Sequence, residues 1–196
     1  MATIDIRFAT DPTEISDVYR FRYRIYCEEM RRTQGYADHD TKMICEPLDA
    51  CARIMVAYEG PELVATLRVN FAREGDLAYY PVLYNMAEVG AAFPRHVSIT
   101  TKFMMLPRCR RGTLAVRMMM AIFRFGLEED IHFDFMDCNP HLESFFRGMG
   151  YRSACGKVHH PEYGDVQPMV LSLTDTAYLG AVGSPFAKLS PVQACR

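Results

Sequence analysis

The sequence contains no tryptophan, no CxxC pair, no surplus of positive charge and no long apolar run. Each absence excludes something. Lys plus Arg total 22 against 24 Asp plus Glu, a net charge of -2. No overall positive field is present to hold nucleic acid or an anionic membrane. Nowhere do apolar residues run to the ~18 that a membrane-spanning helix needs, so no integral membrane association is expected. The seven cysteines (Cys27, Cys45, Cys51, Cys109, Cys138, Cys155 and Cys195) are odd in number and irregularly spaced. That pattern fits neither a secreted disulfide framework nor a zinc cage. His159-His160 is followed by Pro161 and reads as a turn; it lacks a second ligand pair at metal spacing, so no metal is expected. The N-terminus, MATIDIRFATDPTE, alternates like a strand and carries acids, unlike a signal or transit sequence. The simplest reading is a reduced, soluble, cytoplasmic protein. Internal repeats and low-complexity tracts are also missing.

What is present suits one globular domain over residues 1–196. Apolar residues make up 49% and charged residues 23%, the proportions of a chain that buries a full core. Ile4, Ile6 and Phe8 alternate as a first strand. Asp11, Pro12 and Glu14 form a helix start, and the helix is predicted to run to about Met30. Arg22 falls inside its apolar stripe of Ile15, Val18, Tyr19, Ile25 and Tyr26. Residues 31–46 are polar and irregular and read as a long loop. Residues 53–58 and 63–71 predict a hairpin across Glu59-Gly60-Pro61-Glu62. In its second strand Leu63, Ala65, Leu67 and Val69 face one way, and Val64, Thr66, Arg68 and Asn70 the other. A short helix is placed around residues 83–92 and a strand at 96–106, ended by Pro107. Residues 107–113 form a loop that opens into a helix, with a strand at 132–137 directly after it. This strand–helix–strand unit predicts local parallel pairing with a right-handed crossover. A short helix from Asn139-Pro140 to Gly148, a strand at Tyr151-Arg152 and a last strand at 166–173 complete the pattern. The tail from Tyr178 reads as irregular. Met118-Met119-Met120 is assigned mainly to the core.

The stretches VSITTKFMMLPRCRRGTLAVRMMMAIF and FDFMDCNPHLESFFRGMGYR resemble the core of the GNAT superfamily of N-acyltransferases. Arg22-Tyr23-Arg24-Ile25-Tyr26, Glu46-Pro47-Leu48-Asp49, Val64-Ala65-Thr66-Leu67-Arg68 and Thr101-Lys102-Phe103 form an ordered set. That set resembles one shared by acyl-homoserine-lactone synthases and bacterial long-chain N-acyl amino acid synthases. The segment HPEYGDVQPMVLSLTD is closest to the latter, and the resemblance spans roughly residues 10–175. It implies an α/β fold: a single-domain GNAT-like mixed sheet, mostly antiparallel, with a splayed central parallel pair and helices on both faces. Some positions depart from the pattern. Thr113 replaces the central glycine of the phosphate turn Arg110-Arg111-Gly112-Thr113-Leu114-Ala115. Ile99 and Lys102 stand where lactone synthases carry Glu and Arg, which speaks against homoserine-lactone synthesis. Phe146 occupies a position that is Tyr in many acetyltransferases.

The resemblance implies a function: moving a fatty acyl group from an acyl-phosphopantetheine thioester to the amine of an amino acid or similar small acceptor. The thioester, carried by acyl-carrier protein or coenzyme A, is the donor substrate, and no cofactor is permanently bound. Donor contacts fall to Phe103, Met104, Met105, Leu106, Arg110, Arg111, Gly112, Thr113, Leu114, Ala115, Asn139, Phe145 and Phe146. The helix end near Thr113 supplies an anion site, and backbone N–H groups of Met104–Leu106 an oxyanion hole. Phe145 and Phe146 also read as simple helix packing. Arg22, Arg68 and Lys102 are candidates for the acceptor, with Arg68 or Lys102 pairing a carboxylate. Glu46 and Asp49 are candidates to order the acceptor's ammonium group and take its proton through water. The same five residues also read as an ion-pair network pinning the first helix to the sheet, and both readings stand at this point. An acidic carrier protein implies a basic rim, for which Arg31, Arg32, Arg108, Arg110, Arg111 and Arg117 are candidates. Two alternatives remain: a short-chain acetyl-CoA-dependent acetyltransferase, and a non-catalytic acyl-thioester or carrier-protein binding module.

Overall fold

A computed structural model describes residues 3–189. Cys195 therefore lies outside the described residues. The elements are β1 (Ile4–Phe8), α1 (Pro12–Tyr23), β2 (Ala37–Asp38), β3 (Met43–Ile44), β4 (Arg53–Glu59), β5 (Glu62–Phe71), α2 (Tyr80–Leu83), β6 (Val97–Met105), α3 (Leu114–Glu128), β7 (Phe133–Cys138), α4 (Glu143–Met149), β8 (Arg152–Ser153), β9 (Val158–His160), β10 (Gly164–Ser172) and α5 (Thr176–Ala181). Eight strands join in one mixed sheet in the order β1-β4-β5-β6-β7-β10-β8, with β9 paired to β10. It is mostly antiparallel; β6 and β7 are its parallel pair, and helices lie around it. Within the described residues the chain forms two compact units, 3–70, 74–76 and 100–118 in the first, and 71–73, 77–99 and 119–189 in the second.

In the first unit, β4 and β5 form the predicted hairpin, closed at Glu59↔Glu62 around Gly60-Pro61. Gly60 takes a φ of 61°, which the turn requires and a side chain would resist. From Ala65 to Val69 the alternation of β5 is as read from the sequence, but a register shift opposite Ala57/Tyr58 puts Leu63 on the face opposite Ala65, a correction to the reading, and both faces are buried. Its polar row is satisfied rather than solvated. Thr66 Oγ1 donates to the Met55 carbonyl at 3.0 Å, Arg68 enters an ion-pair cluster, and Asn70 Nδ2 donates to the Leu48 carbonyl at 2.8 Å. A buried strand with an unpaired polar row would be costly, so these partners are a condition of the fold.

Asp11 caps α1 by accepting from the Thr13 N–H at 2.6 Å. The helix then changes character. Arg24–Glu29 is a π-helical turn, seen in the Met30 N–H donating to the Ile25 carbonyl at 2.9 Å. The helical run to about Met30 is as predicted; its wider last part is not a sequence-readable feature. Residues 31–46 are not a plain loop, because β2 and β3 pair within them as a small hairpin.

In the second unit the parallel ladder runs from Val97↔Phe133 to Ile99↔Phe135. Beyond Ile99, β6 continues to Met105 in the first unit. Lys102 holds a φ of 52° inside that strand. A left-handed backbone at a residue other than glycine is unusual in a strand interior. The expected helix at 83–92 is instead split into α2 and a 3₁₀ segment, Met86–Ala92, because Asn85 turns left-handed between them. The His159-His160 turn is corrected to a strand: His160 lies in β9 and is fully buried. The tail from Tyr178 is corrected too. Residues Thr176–Ala181 form α5, capped by Asp175, and Pro185–Lys188 form a 3₁₀ turn with Phe186 buried. Met118 and Met119 are fully buried, in keeping with a core role.

Candidate active site

Five ionisable side chains from four segments of the first unit meet in its interior. Arg22 comes from α1, Glu46 and Asp49 from the segment before β4, Arg68 from β5 and Lys102 from β6. Arg22 Nη1 lies 2.7 Å from Asp49 Oδ2. Arg68 Nη1 lies 2.8 Å from Glu46 Oε2 and 3.2 Å from Asp49 Oδ1. Lys102 Nζ pairs with Glu46 Oε1. No side chain of the five is more than 5% exposed, so the charges sit in a medium where pairing is strong and a missing partner costly.

Local geometry explains how the carboxylates are held. Pro47–Cys51 is a 3₁₀ turn with a reciprocal capping box between Glu46 and Asp49. The Glu46 N–H donates to Asp49 Oδ2 at 2.7 Å. Sequence reasoning brought these five residues to one constellation, and the structure brings all five together. It missed three neighbours. Thr101 Oγ1 accepts from Arg68 Nε at 3.0 Å. The Tyr26 ring lies 5.2 Å from Lys102 Nζ, and the Tyr19 ring 5.4 Å from the Arg22 guanidinium. These are cation–π distances. The signal for the two tyrosines was their place in the helical stripe that also holds Arg22.

Burial would raise the carboxyl pKa of Glu46, but Lys102 and Arg68 outweigh it and hold the group below the usual range. For Asp49, burial is likewise overcome, by Arg22 and then Arg68. Both remain ionised at neutral pH, and all four carboxylate oxygens are engaged with cations. This weakens both as direct bases. Three cations face two carboxylates, which leaves one positive charge in excess. Among the described residues, Arg22 Nε and Nη2 are buried without a hydrogen-bond partner.

The expected donor segment is also in the first unit. Met104, Met105 and Leu106 are buried at the end of β6. The Leu106 N–H donates to the Val64 carbonyl at 2.9 Å. Leu106 is therefore corrected as an oxyanion donor, since its N–H is spent on the sheet. Pro107–Cys109 is a 3₁₀ turn, and Arg110 closes back on it, with Nε donating to the Met105 carbonyl at 3.1 Å. Arg110 Nη2 also lies 2.6 Å from Glu29 Oε1. Arg111, Gly112 and Thr113 are exposed ahead of α3. Among the described residues nothing demands glycine at 112: a Cβ there would meet the Cys109 carbonyl at 3.8 Å, an ordinary contact.

The remaining expected donor residues, Asn139, Phe145 and Phe146, belong to the second unit. Asn139 leads into a 3₁₀ turn without capping it by its side chain. Phe146 is buried edge-on to Tyr151, and Phe145 packs edge-on to Phe146 at 5.0 Å. The expected basic rim is neutralised in part, at Arg108 and Arg110. Arg108 pairs with Glu59 and with Glu62, and Arg117 Nη2 donates to the Ile4 carbonyl at 3.0 Å. Arg31, Arg111 and Arg117 are the rim candidates that stay exposed with no ion pair among the described residues.

Comparison with known proteins bears on this site. No curated protein matches the sequence. Among solved structures, FeeM, an N-acyl amino acid synthase from uncultured soil microbes, superposes with a TM-score of 0.69 at 16% identity, covering 96% of this chain and 99% of its own. The acyl-homoserine-lactone synthase LasI gives 0.72 at 14% identity, covering 94% and 97%. MesI, a CoA-dependent acyl-homoserine-lactone synthase, gives 0.69 at 18%, covering 91% and 95%. At these identities the likeness establishes the shared fold. The family profile described as "N-acyl amino acid synthase FeeM" matches residues 17–175, a span that holds the whole ion-pair cluster and the donor segment. The chain therefore belongs to the FeeM family of N-acyl amino acid synthases, and is an N-acyltransferase.

Proposed function

We propose that this enzyme transfers a fatty acyl group from an acyl-carrier-protein or acyl-CoA thioester to the amine of an amino acid or a similar small acceptor bearing a carboxylate. The observation that carries the reading is the buried cluster of Arg22, Arg68 and Lys102 against Glu46 and Asp49, with two Arg22 nitrogens left without a partner among the described residues. An acceptor carboxylate would neutralise the excess charge and satisfy those donors with charge-assisted hydrogen bonds.

In this account the acceptor amine attacks the thioester carbon directly. The C–N bond forms first and gives a tetrahedral oxyanion; its collapse breaks the C–S bond, and the departing thiolate takes up a proton from solvent in place of the one the amine gives up. Backbone N–H groups at Met104 and Met105 are the proposed oxyanion donors, Leu106 being spent. Arg110 braces that segment through the Met105 carbonyl. The first turn of α3, with Gly112 and Thr113 ahead of it, is the proposed anion site for the pantetheine phosphate. Glu46 and Asp49 position the cations and water, and solvent takes the amine proton. Much of the rate enhancement then comes from holding two substrates in line.

The test supplies the purified chain with a long-chain acyl-carrier-protein or acyl-CoA donor. Each is offered an amino acid or the amine made by removing its carboxyl group, and products are read by mass spectrometry. The reading requires N-acyl amino acid from the first acceptor and little from the second. Equal acylation of both would remove the carboxylate from the account.

A further inference from the structure

His96 and His132 each stand one residue ahead of the parallel pair, before Val97 of β6 and Phe133 of β7. The His132 N–H donates to the His96 carbonyl at 2.8 Å, so the two backbones run side by side. Their side chains leave the same face, and the imidazole rings stack with centroids 4.3 Å apart and planes 8° from parallel. Asp130, in the turn that follows α3, takes a left-handed φ of 58°. Its carboxylate reaches both rings: Oδ2 lies 3.1 Å from His96 Nδ1, and Oδ1 lies 3.3 Å from His132 Nε2. Side-chain exposures of 21%, 37% and 71% leave this face open to solvent.

We propose that His96, Asp130 and His132 form a binding site for a divalent transition metal of the zinc class. Two imidazole nitrogens and one carboxylate are a borderline-soft donor set of the kind zinc takes, with a fourth position left for water. The three ligand atoms lie within 4.8 Å of one another. The two nitrogen–oxygen separations are close to the roughly 3.3 Å between neighbouring ligands on a tetrahedral ion with bonds of about 2.0–2.1 Å, and the stacked rings would turn about their Cβ–Cγ bonds to aim both lone pairs at one ion. His96 Nδ1 also lies 2.9 Å from the Asp130 carbonyl, a contact that metal binding would replace. The ion would tie the first residues of β6 and β7 to the end of α3, within the second unit alone. Its role is a clamp rather than a part of acyl transfer. Sequence spacing could not show it, because the two histidines precede different strands and only parallel pairing sets them together.

The experiment uses the full chain, stripped with chelator and dialysed, and titrated with zinc chloride against a chromophoric competitor. Cobalt chloride serves as the spectroscopic probe. The proposal expects one zinc per chain and cobalt d–d bands without thiolate charge transfer. It also expects a rise in melting temperature with zinc. His96→Gln and His132→Gln should each weaken binding at least about tenfold, with far-UV circular dichroism unchanged. If a variant fails to fold, Asp130→Asn, on the exposed side of the site, carries the same expectation. Absence of zinc binding by the wild type overturns the proposal. So does thiolate-type cobalt absorption, or binding that all three variants retain.

Discussion

Asp49 ties three parts of the buried cluster together, meeting Arg22, Arg68 and the Glu46 N–H. Asp49→Asn keeps its size but leaves three buried cations against one carboxylate. We expect it to lower unfolding free energy by about 3–5 kcal/mol, measured by urea titration. A loss below about 1 kcal/mol would mean that the charges are effectively solvated. The pH dependence follows from the same contacts. Glu46 and Asp49 have folded-state carboxyl pKa values below their unfolded ones, so the unfolded chain binds more protons in acid. Their contribution is complete above about pH 4.5, where unfolded carboxylates are ionised, and is lost as pH falls through the depressed folded values. Melting temperature should therefore drop steeply below about pH 4, and less so in Asp49→Asn. Much of this cluster was legible in the sequence, because Arg22 interrupts an apolar helical stripe and Glu46-Pro47-Leu48-Asp49 places two acids on one turn. Thr101 was not legible, since a strand threonine looks the same whether it packs or accepts from an arginine. Nor was the left-handed backbone at Lys102: local preference opposes it, and only the surrounding structure imposes it.

At the scale of elements, regular periodicity translated well and irregular backbone did not. The β4–β5 hairpin, β6, α3 and β7 stand within a residue or two of their predicted limits. The π turn after α1, the β2–β3 pair and β9 have no strong local signal, and α5 rests on a cap and one buried leucine, Leu179. Two glycines separate folding from function. Gly150 ends α4 with a φ of 108°, where the Gly150 N–H and the Tyr151 N–H close back on the helix. A Cβ there would stand 2.6 Å from Leu179 Cδ2. Gly150→Ala should cost about 1–3 kcal/mol in thermal or urea unfolding. Gly112 has no such constraint, since a methyl group there meets only an ordinary contact. Gly112→Ala should leave stability within about 0.5 kcal/mol of wild type. If the turn ahead of α3 holds the donor phosphate, the same change should raise the Michaelis constant for acyl donor severalfold in steady-state assays. An unchanged constant would move the phosphate site elsewhere.

For the whole molecule, the ordered motifs led to the family, which the profile match establishes over residues 17–175. The sheet order was less accessible. Placing β10 beside β7, and β4 between β1 and β5, depends on contacts far apart in sequence. The oxyanion donors narrowed for the same reason, since Leu106 was lost to a bond with Val64 on another strand. What the fold adds to the motifs is a buried site with one positive charge in excess, set beside the strand that carries the proposed donor segment. The most direct measurement of that claim compares an amino acid with its decarboxylated amine as acceptor, for the wild type and for Arg22→Lys. The wild type should prefer the carboxylated acceptor by at least about tenfold in kcat/KM, and the variant, with fewer guanidinium donors, should lose most of that preference. Equal rates for both acceptors in the wild type, or a preference untouched in a folded Arg22→Lys, would contradict it.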